Sequence, residues 1–120
     1  MAYQTATGLK RIMNAARYSA AGFKATWAHE EAFRQEVILF LLAAPAAFFV
    51  GKSAVEIVLL VTSVILILLV ELLNSAVEAA VDRIGFEHHE LSGRAKDIGS
   101  AAVMLSILGA AATWLIILFY

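Results

Sequence analysis

Cysteine is absent from the 120 residues, which excludes disulfides, thiol nucleophiles and cysteine-liganded metal centres. Charge is scarce: Asp, Glu, Lys and Arg make up 16% of the chain, against about 25% in an ordinary soluble domain. Neither phosphate cradle, GxxxxGKS/T or GxGxxG, occurs anywhere. Proline appears once, at Pro45. No apolar leader with a small-residue cleavage site heads the chain, so Met1 or Ala2 is the expected mature N-terminus. What remains is 62% hydrophobic, with a mean hydropathy of +0.82. That is the composition of a small integral membrane protein, with room for three spans and none for a separate soluble catalytic domain. The net charge of −1 says little by itself, and no nucleic-acid partner is expected.

The expected fold is all-α and a single domain over residues 1–120: an N-terminal amphipathic surface helix, then three transmembrane helices. Met1–Thr7 is small and polar and expected to fray. Over residues 8–27, Leu9, Ile12, Met13, Ala16, Ala20, Phe23 and Trp27 recur at three- and four-residue steps. Lys10, Arg11, Asn14, Arg17, Tyr18 and Lys24 lie opposite, the pattern of a basic helix in a membrane interface. A charged hinge, Ala28–Glu36, precedes an uncharged run to Gly51 that is short for a bilayer at about 1.5 Å per residue. The first span is therefore placed at 32–51, with Arg34 snorkelling and Pro45 kinking the helix. The second is placed at 54–84, including a cytoplasmic extension. Gly85–Gly93 is expected as a loop, and the third span at 97–120. In that span Ala102, Ser106 and Ala110 recur every four residues, a small face for close helix packing.

Basic residues set the orientation. Lys10, Arg11, Arg17, Lys24 and Arg34 precede the first span, and Arg83, Arg94 and Lys96 lie between the second and third. Lys52 alone lies on the other side, so the N-terminus and the second connection are expected in the cytoplasm and the C-terminus outside. Phe48, Phe49, Trp114, Phe119 and Tyr120 would form an outer aromatic belt.

The end of the second span, Val70–Gly85, acquires acids without a helix breaker. At roughly 100° per residue, Glu71, Glu78 and Asp82 fall within about 40° of one another, with Asn74 and Ser75 flanking the stripe. An acid inside hydrocarbon costs about 2.5–3.5 kcal/mol, so such a stripe points to a site at the membrane surface. Glu30, Glu31, Glu36, Glu87, Glu90 and Asp97 are expected on the same side. Hard oxygen ligands from two segments suit Mg²⁺ held by one or two carboxylates and substrate phosphates. His88 and His89 are adjacent and do not share a helix face, so they are not expected to ligate a metal as a pair.

These residues bring a family into view. ELLNSAVEAAVDRIG and HELSGRAKDIGSAAV, with EAFRQE upstream, closely resemble the prokaryotic integral-membrane diacylglycerol kinases. The resemblance extends over nearly the whole chain. It implies a homotrimeric helical bundle in the bacterial inner membrane that phosphorylates diacylglycerol to phosphatidic acid with ATP and Mg²⁺. By that resemblance Glu71 matches the general base, and Glu30 and Glu78 match metal-bridging carboxylates that also serve ATP. Arg11, Tyr18, Glu87, His88, His89, Lys96 and Asp97 match nucleotide contacts. Arg11, Ala32, Phe33, Arg34, Gln35, Glu36, Glu71, Ser100 and Trp114 match lipid-substrate contacts, with Asn74, Asp82 and Arg94 in support. His29 and His88 stand where the family pattern has Asn and Tyr.

The residues read alone agree with that chemistry: a diacylglycerol hydroxyl sits at headgroup depth, as Glu71 does, and phosphoryl transfer asks mainly for alignment and charge neutralisation. No side chain has the base-plus-orienter setting of an activated nucleophile, so direct transfer is expected. Three short spans cannot enclose both a lipid and a nucleotide, so the site is expected to form across a subunit boundary. Undecaprenol is the alternative lipid, since some relatives phosphorylate it. A small proton-coupled multidrug transporter, using Glu71 alone, and a non-catalytic assembly subunit are the readings from other classes.

Overall fold

The computed structural model describes residues 6–120, so most of the segment expected to fray lies outside the described residues. Four helices follow in order: α1 (Gly8–His29), α2 (Glu31–Val50), α3 (Ala54–Ile84) and α4 (Glu90–Phe119). The last three are long and apolar enough to cross a membrane. At about 1.5 Å per residue the 31-residue α3 exceeds the roughly 30 Å hydrocarbon core. Its polar end, residues 71–84, therefore stands at and beyond one membrane face, and the first turns of α4, residues 90–97, return alongside it.

The corner between α1 and α2 is sharper than the expected hinge. Glu30 alone separates the two helices, in extended backbone at φ −120°, ψ 107°. Its N–H closes α1 on the Thr26 carbonyl (2.9 Å), and its own carbonyl accepts from the Arg34 N–H (3.3 Å). The Glu30 side chain makes no capping bond and is left to reach elsewhere. The Arg34 side chain turns toward α1. It folds back and donates from Nη1 to the Trp27 carbonyl (2.6 Å) at the end of α1. A cation on the unsatisfied last carbonyls of a helix is favourable on hydrogen-bonding and dipole grounds alike.

At the opposite face, Gly51-Lys52-Ser53 turns the chain from α2 into α3. A Cβ at Gly51 would run into Ile57 and the Ala47 carbonyl, so only glycine fits this approach. Ser53 Oγ accepts from the Glu56 N–H (3.2 Å), and the Glu56 carboxylate accepts from the Lys52 N–H (3.0 Å), a capping box displaced by one residue. Lys52 Nζ then reaches the Ile117 carbonyl (3.2 Å) in the last turn of α4. The one basic residue on this side thus ties the first turn to the end of the chain.

α3 packs between α2 and α4. Leu60, Val64 and Ile67 are its buried apolar side chains, with Ala47 from α2 and Ala110 from α4. Ser106 and Ala110 of the small-residue face are buried as expected, whereas Ala102 is exposed. Trp114, expected in the aromatic belt, shares its indole N–H between the Leu60 carbonyl (3.3 Å) and Ser63 Oγ (3.2 Å) of α3. A polar bond between helices in lipid is worth about 0.6 kcal/mol on average, and here it also spares an indole N–H from hydrocarbon. Ser63, Ser106 and Thr113 satisfy their hydroxyls on carbonyls of their own helices.

α2 runs through Pro45 as one continuous helix. One further boundary differs from expectation. α4 begins at Glu90 rather than at 97, shortening the loop to Gly85–His89. His89 caps this start, its Nδ1 accepting from the Leu91 N–H (3.0 Å), with Glu90 in the first turn where the helix dipole favours an acid. Gly93, which reads as a breaker, sits inside the helix once that cap has formed.

Candidate active site

The α3 stripe is assembled as a ladder. Asn74 lies three residues after Glu71 and four before Glu78, both neighbouring positions on one helix face. Its Nδ2 donates to Glu78 Oε1 (3.2 Å) and, at the limit of hydrogen-bond length, to Glu71 Oε2 (3.5 Å). One amide therefore links the carboxylates of two residues whose Cα positions the helix rise sets about 10 Å apart along its axis. Glu71 is the buried one, at 4% exposure. The Glu36 carboxyl from α2 lies within hydrogen-bonding reach of it, and Glu36 Oε1 is itself buried without a donor.

One step toward the polar end, the Glu30 carboxyl from the α1–α2 corner comes within hydrogen-bonding reach of Glu78. Burial, and then the adjacent Glu30 carboxyl, raise the Glu78 carboxyl above its ordinary value, while the Asn74 amide and Lys96 act in the opposite sense. Two facing carboxyls from separate elements are a donor set a hard divalent cation would neutralise. Among the described residues, no three His, Asp or Glu side chains gather into a closed cage. The residues thus fit a cation that completes its shell with water and phosphate oxygens.

A further turn out, Lys96 Nζ of α4 meets Asp82 Oδ1 at 2.8 Å, joining α3 to α4. The Asp82 carboxylate holds the lysine above its ordinary value. Both residues line a cavity of about 190 Å³ under the α3–α4 loop, with Glu87, His88, His89 and Gly85. The loop residues expected to contact the nucleotide are therefore gathered beside the lysine.

Most of the other expected residues are exposed. Arg11 and Tyr18 are exposed on α1, and Asp97 and Ser100 on α4. Arg94 pairs with Glu90 at 3.6 Å on an exposed helix face, a contact worth little. Ala32 and Gln35 are exposed on the first turns of α2, while Phe33 is buried at 4% exposure and Arg34 serves the corner. Trp114 walls an apolar groove of about 420 Å³ with Leu39, Leu42, Val64, Ile67 and Ile107, and Leu39 and Ile67 lie about one turn from Glu36 and Glu71. The pairing of Glu36 with Glu71 carries no sequence signal, since it depends on how α2 crosses α3. The Asn74 bridge was readable from its spacing.

Known proteins are similar to this chain over most of its length. The family described as prokaryotic diacylglycerol kinase matches residues 17–118. The chain belongs to that family. It is 55% identical to the diacylglycerol kinase of Escherichia coli strain K12 over 113 residues, covering 94% of this chain and 93% of that protein. The diacylglycerol kinase of Pseudomonas aeruginosa is 50% identical over 112 residues, covering 93% and 91%. That of Haemophilus influenzae is 48% identical over 118 residues, covering 98% and 99%. Members of the prokaryotic diacylglycerol kinase family thus match this chain across its surface helix, its three long helices and the whole acid ladder.

Proposed function

We propose that the protein is an ATP-dependent diacylglycerol kinase, converting 1,2-diacylglycerol to phosphatidic acid at the cytoplasmic surface of the bacterial inner membrane. The observation that carries this reading is the Asn74 bridge, which couples a buried carboxylate at headgroup depth to a second carboxylate facing Glu30. Membership of the family and the names of its relatives support the substrate.

Glu71 accepts the proton of the lipid hydroxyl as its oxygen attacks the γ-phosphorus of ATP. The bond from γ-phosphorus to the bridging oxygen breaks, ADP leaves, and the lipid carries the phosphate. Glu30 and Glu78 would hold Mg²⁺, which when bound neutralises charge on the phosphates. Lys96, released from Asp82, offsets charge on the transferring group, and the cavity beside it receives the nucleotide. Asn74 keeps the two carboxylates in fixed relation, which is the alignment the reaction demands. The chain acts as a homotrimer, with each site completed by a neighbouring copy, because Arg11 stands roughly 27 Å back along α1 from its last residue, His29.

The test is transfer of ³²P from γ-labelled ATP to a panel of detergent-solubilised lipids. Label in phosphatidic acid, dependent on Mg²⁺, supports the reading. Label in undecaprenyl phosphate alone changes the lipid and keeps the mechanism. No labelled lipid from a folded protein refutes it.

A further inference from the structure

α4 carries three glycines, and their surroundings differ. A Cβ added at Gly93 or Gly109 would meet nothing within 4 Å. A Cβ added at Gly99 would collide with the side-chain amide of Asn74, at Oδ1. Gly99 lies one turn beyond Lys96, so this approach of α4 to α3 is one turn deeper than the Asp82–Lys96 pair.

Asn74 turns its Nδ2 side to Glu71 and Glu78, donating to a carboxylate oxygen of each. Oδ1 is thereby turned toward α4, where it is buried and has no donor. The glycine backbone closes the space on that side. An added methyl group leaves two ways out. Asn74 swings off the carboxylates, or α4 retreats and stretches the 2.8 Å contact between Lys96 and Asp82.

We propose that Gly99 is a positioning residue for the carboxylate pair: presenting no side chain to α3, it seats the Asn74 amide between Glu71 and Glu78 and keeps it there. This rests on the reading of Glu71 and Glu78 as the working carboxylates. Gly99 touches neither substrate nor carboxylate and acts through Asn74 alone.

The experiment compares Gly99→Ala, Asn74→Ala, the double variant and Gly109→Ala in the full-length protein in detergent. Gly99→Ala lowers kcat by about 10²-fold, the scale of a misplacement of about 1 Å, with little change in either KM. Asn74→Ala lowers it comparably, and the double variant is no slower than Asn74→Ala alone, because both changes remove one interaction. Gly109→Ala keeps wild-type activity. The Asn74 side-chain amide resonance, observed in ¹⁵N spectra without nucleotide or metal, moves in Gly99→Ala and stays in Gly109→Ala. Wild-type kcat in Gly99→Ala, an unmoved resonance, or losses that multiply in the double variant overturn the proposal. If Gly99→Ala fails to fold, the double variant decides: folding like Asn74→Ala supports a clash with that amide, and failure of both makes the glycine a general packing residue. Glu71→Gln and Glu78→Gln are assayed alongside. Full activity in those two refutes the catalytic reading, while a displaced Asn74 resonance would still establish the contact.

Discussion

Replacing Glu78 by Gln removes one of the two carboxyls that face each other between the α1–α2 corner and α3. In the wild-type protein, burial and the Glu30 carboxyl raise Glu78 above its ordinary value of 4.5. A carboxyl raised on folding stabilises the fold fully below its unfolded value, and that contribution is lost as pH rises through its folded value. Metal-free protein therefore loses stability as pH climbs above the ordinary carboxylate range, and Mg²⁺ restores it by binding the folded state. Binding must release the proton held by the pair, so Mg²⁺ affinity gains about tenfold per pH unit below the raised value and levels off above it. Glu78→Gln abolishes that slope. It also lowers Mg²⁺ affinity by more than the roughly 10–100-fold typical of losing an outer-shell partner, since a direct ligand is lost. The assay is the thermal unfolding midpoint, titrated with Mg²⁺ in the presence of a non-hydrolysable ATP analogue across a pH series. An unchanged affinity and an unchanged pH slope in Glu78→Gln would place the metal elsewhere.

Asp82→Asn breaks an ion pair whose partners are 45% and 38% exposed, so it costs at most about 1 kcal/mol of stability. It raises the KM for ATP more than it lowers the melting point, because Lys96 loses its anchor at the cavity. Cysteine introduced at Ser53 labels with an impermeant thiol reagent in intact cells, and cysteine introduced at Phe86, 87% exposed in the α3–α4 loop, labels only after permeabilisation. The reverse pattern would put the acid ladder on the side without ATP. Mixing Glu71→Gln chains with Arg11→Ala chains restores partial activity, because Arg11 completes the site of a neighbouring copy. Oligomers shown to be mixed and yet inactive would confine each site to one chain.

Periodicity made α3 legible to both ends, since an uncharged run passes into a one-sided acid stripe with no breaker until Gly85. The same logic yielded the Asp82 and Glu78 side of the site but not what faces it. Glu30 meets Glu78 only because the corner is one residue long, and the length of a charged segment such as AHEEAFRQE does not say where a helix stops. Arg34 is a related case: a long cation near an apolar run has two outlets, water and a helix C-terminus, and tertiary geometry offers the second. His89 and Gly93 misled in the same way, because a cap at His89 outweighs the cost of one helical glycine. Trp114 has the composition of an interfacial anchor, yet Ser63 and the Leu60 carbonyl offered its N–H a partner within the bundle. Contacts between helices, rather than along them, are what the sequence left open.

The central claim is that Glu71 takes the proton of the lipid hydroxyl, and single-turnover transfer from MgATP to diacylglycerol by Glu71→Gln tests it most directly. Gln is nearly isosteric with Glu, and it can donate to the neighbouring Glu36 carboxyl, so the variant stays folded. The account predicts a transfer rate lower by about 10²–10⁴-fold, with MgATP binding unchanged. Near-normal transfer at saturating substrates would contradict it and turn attention to Asp97.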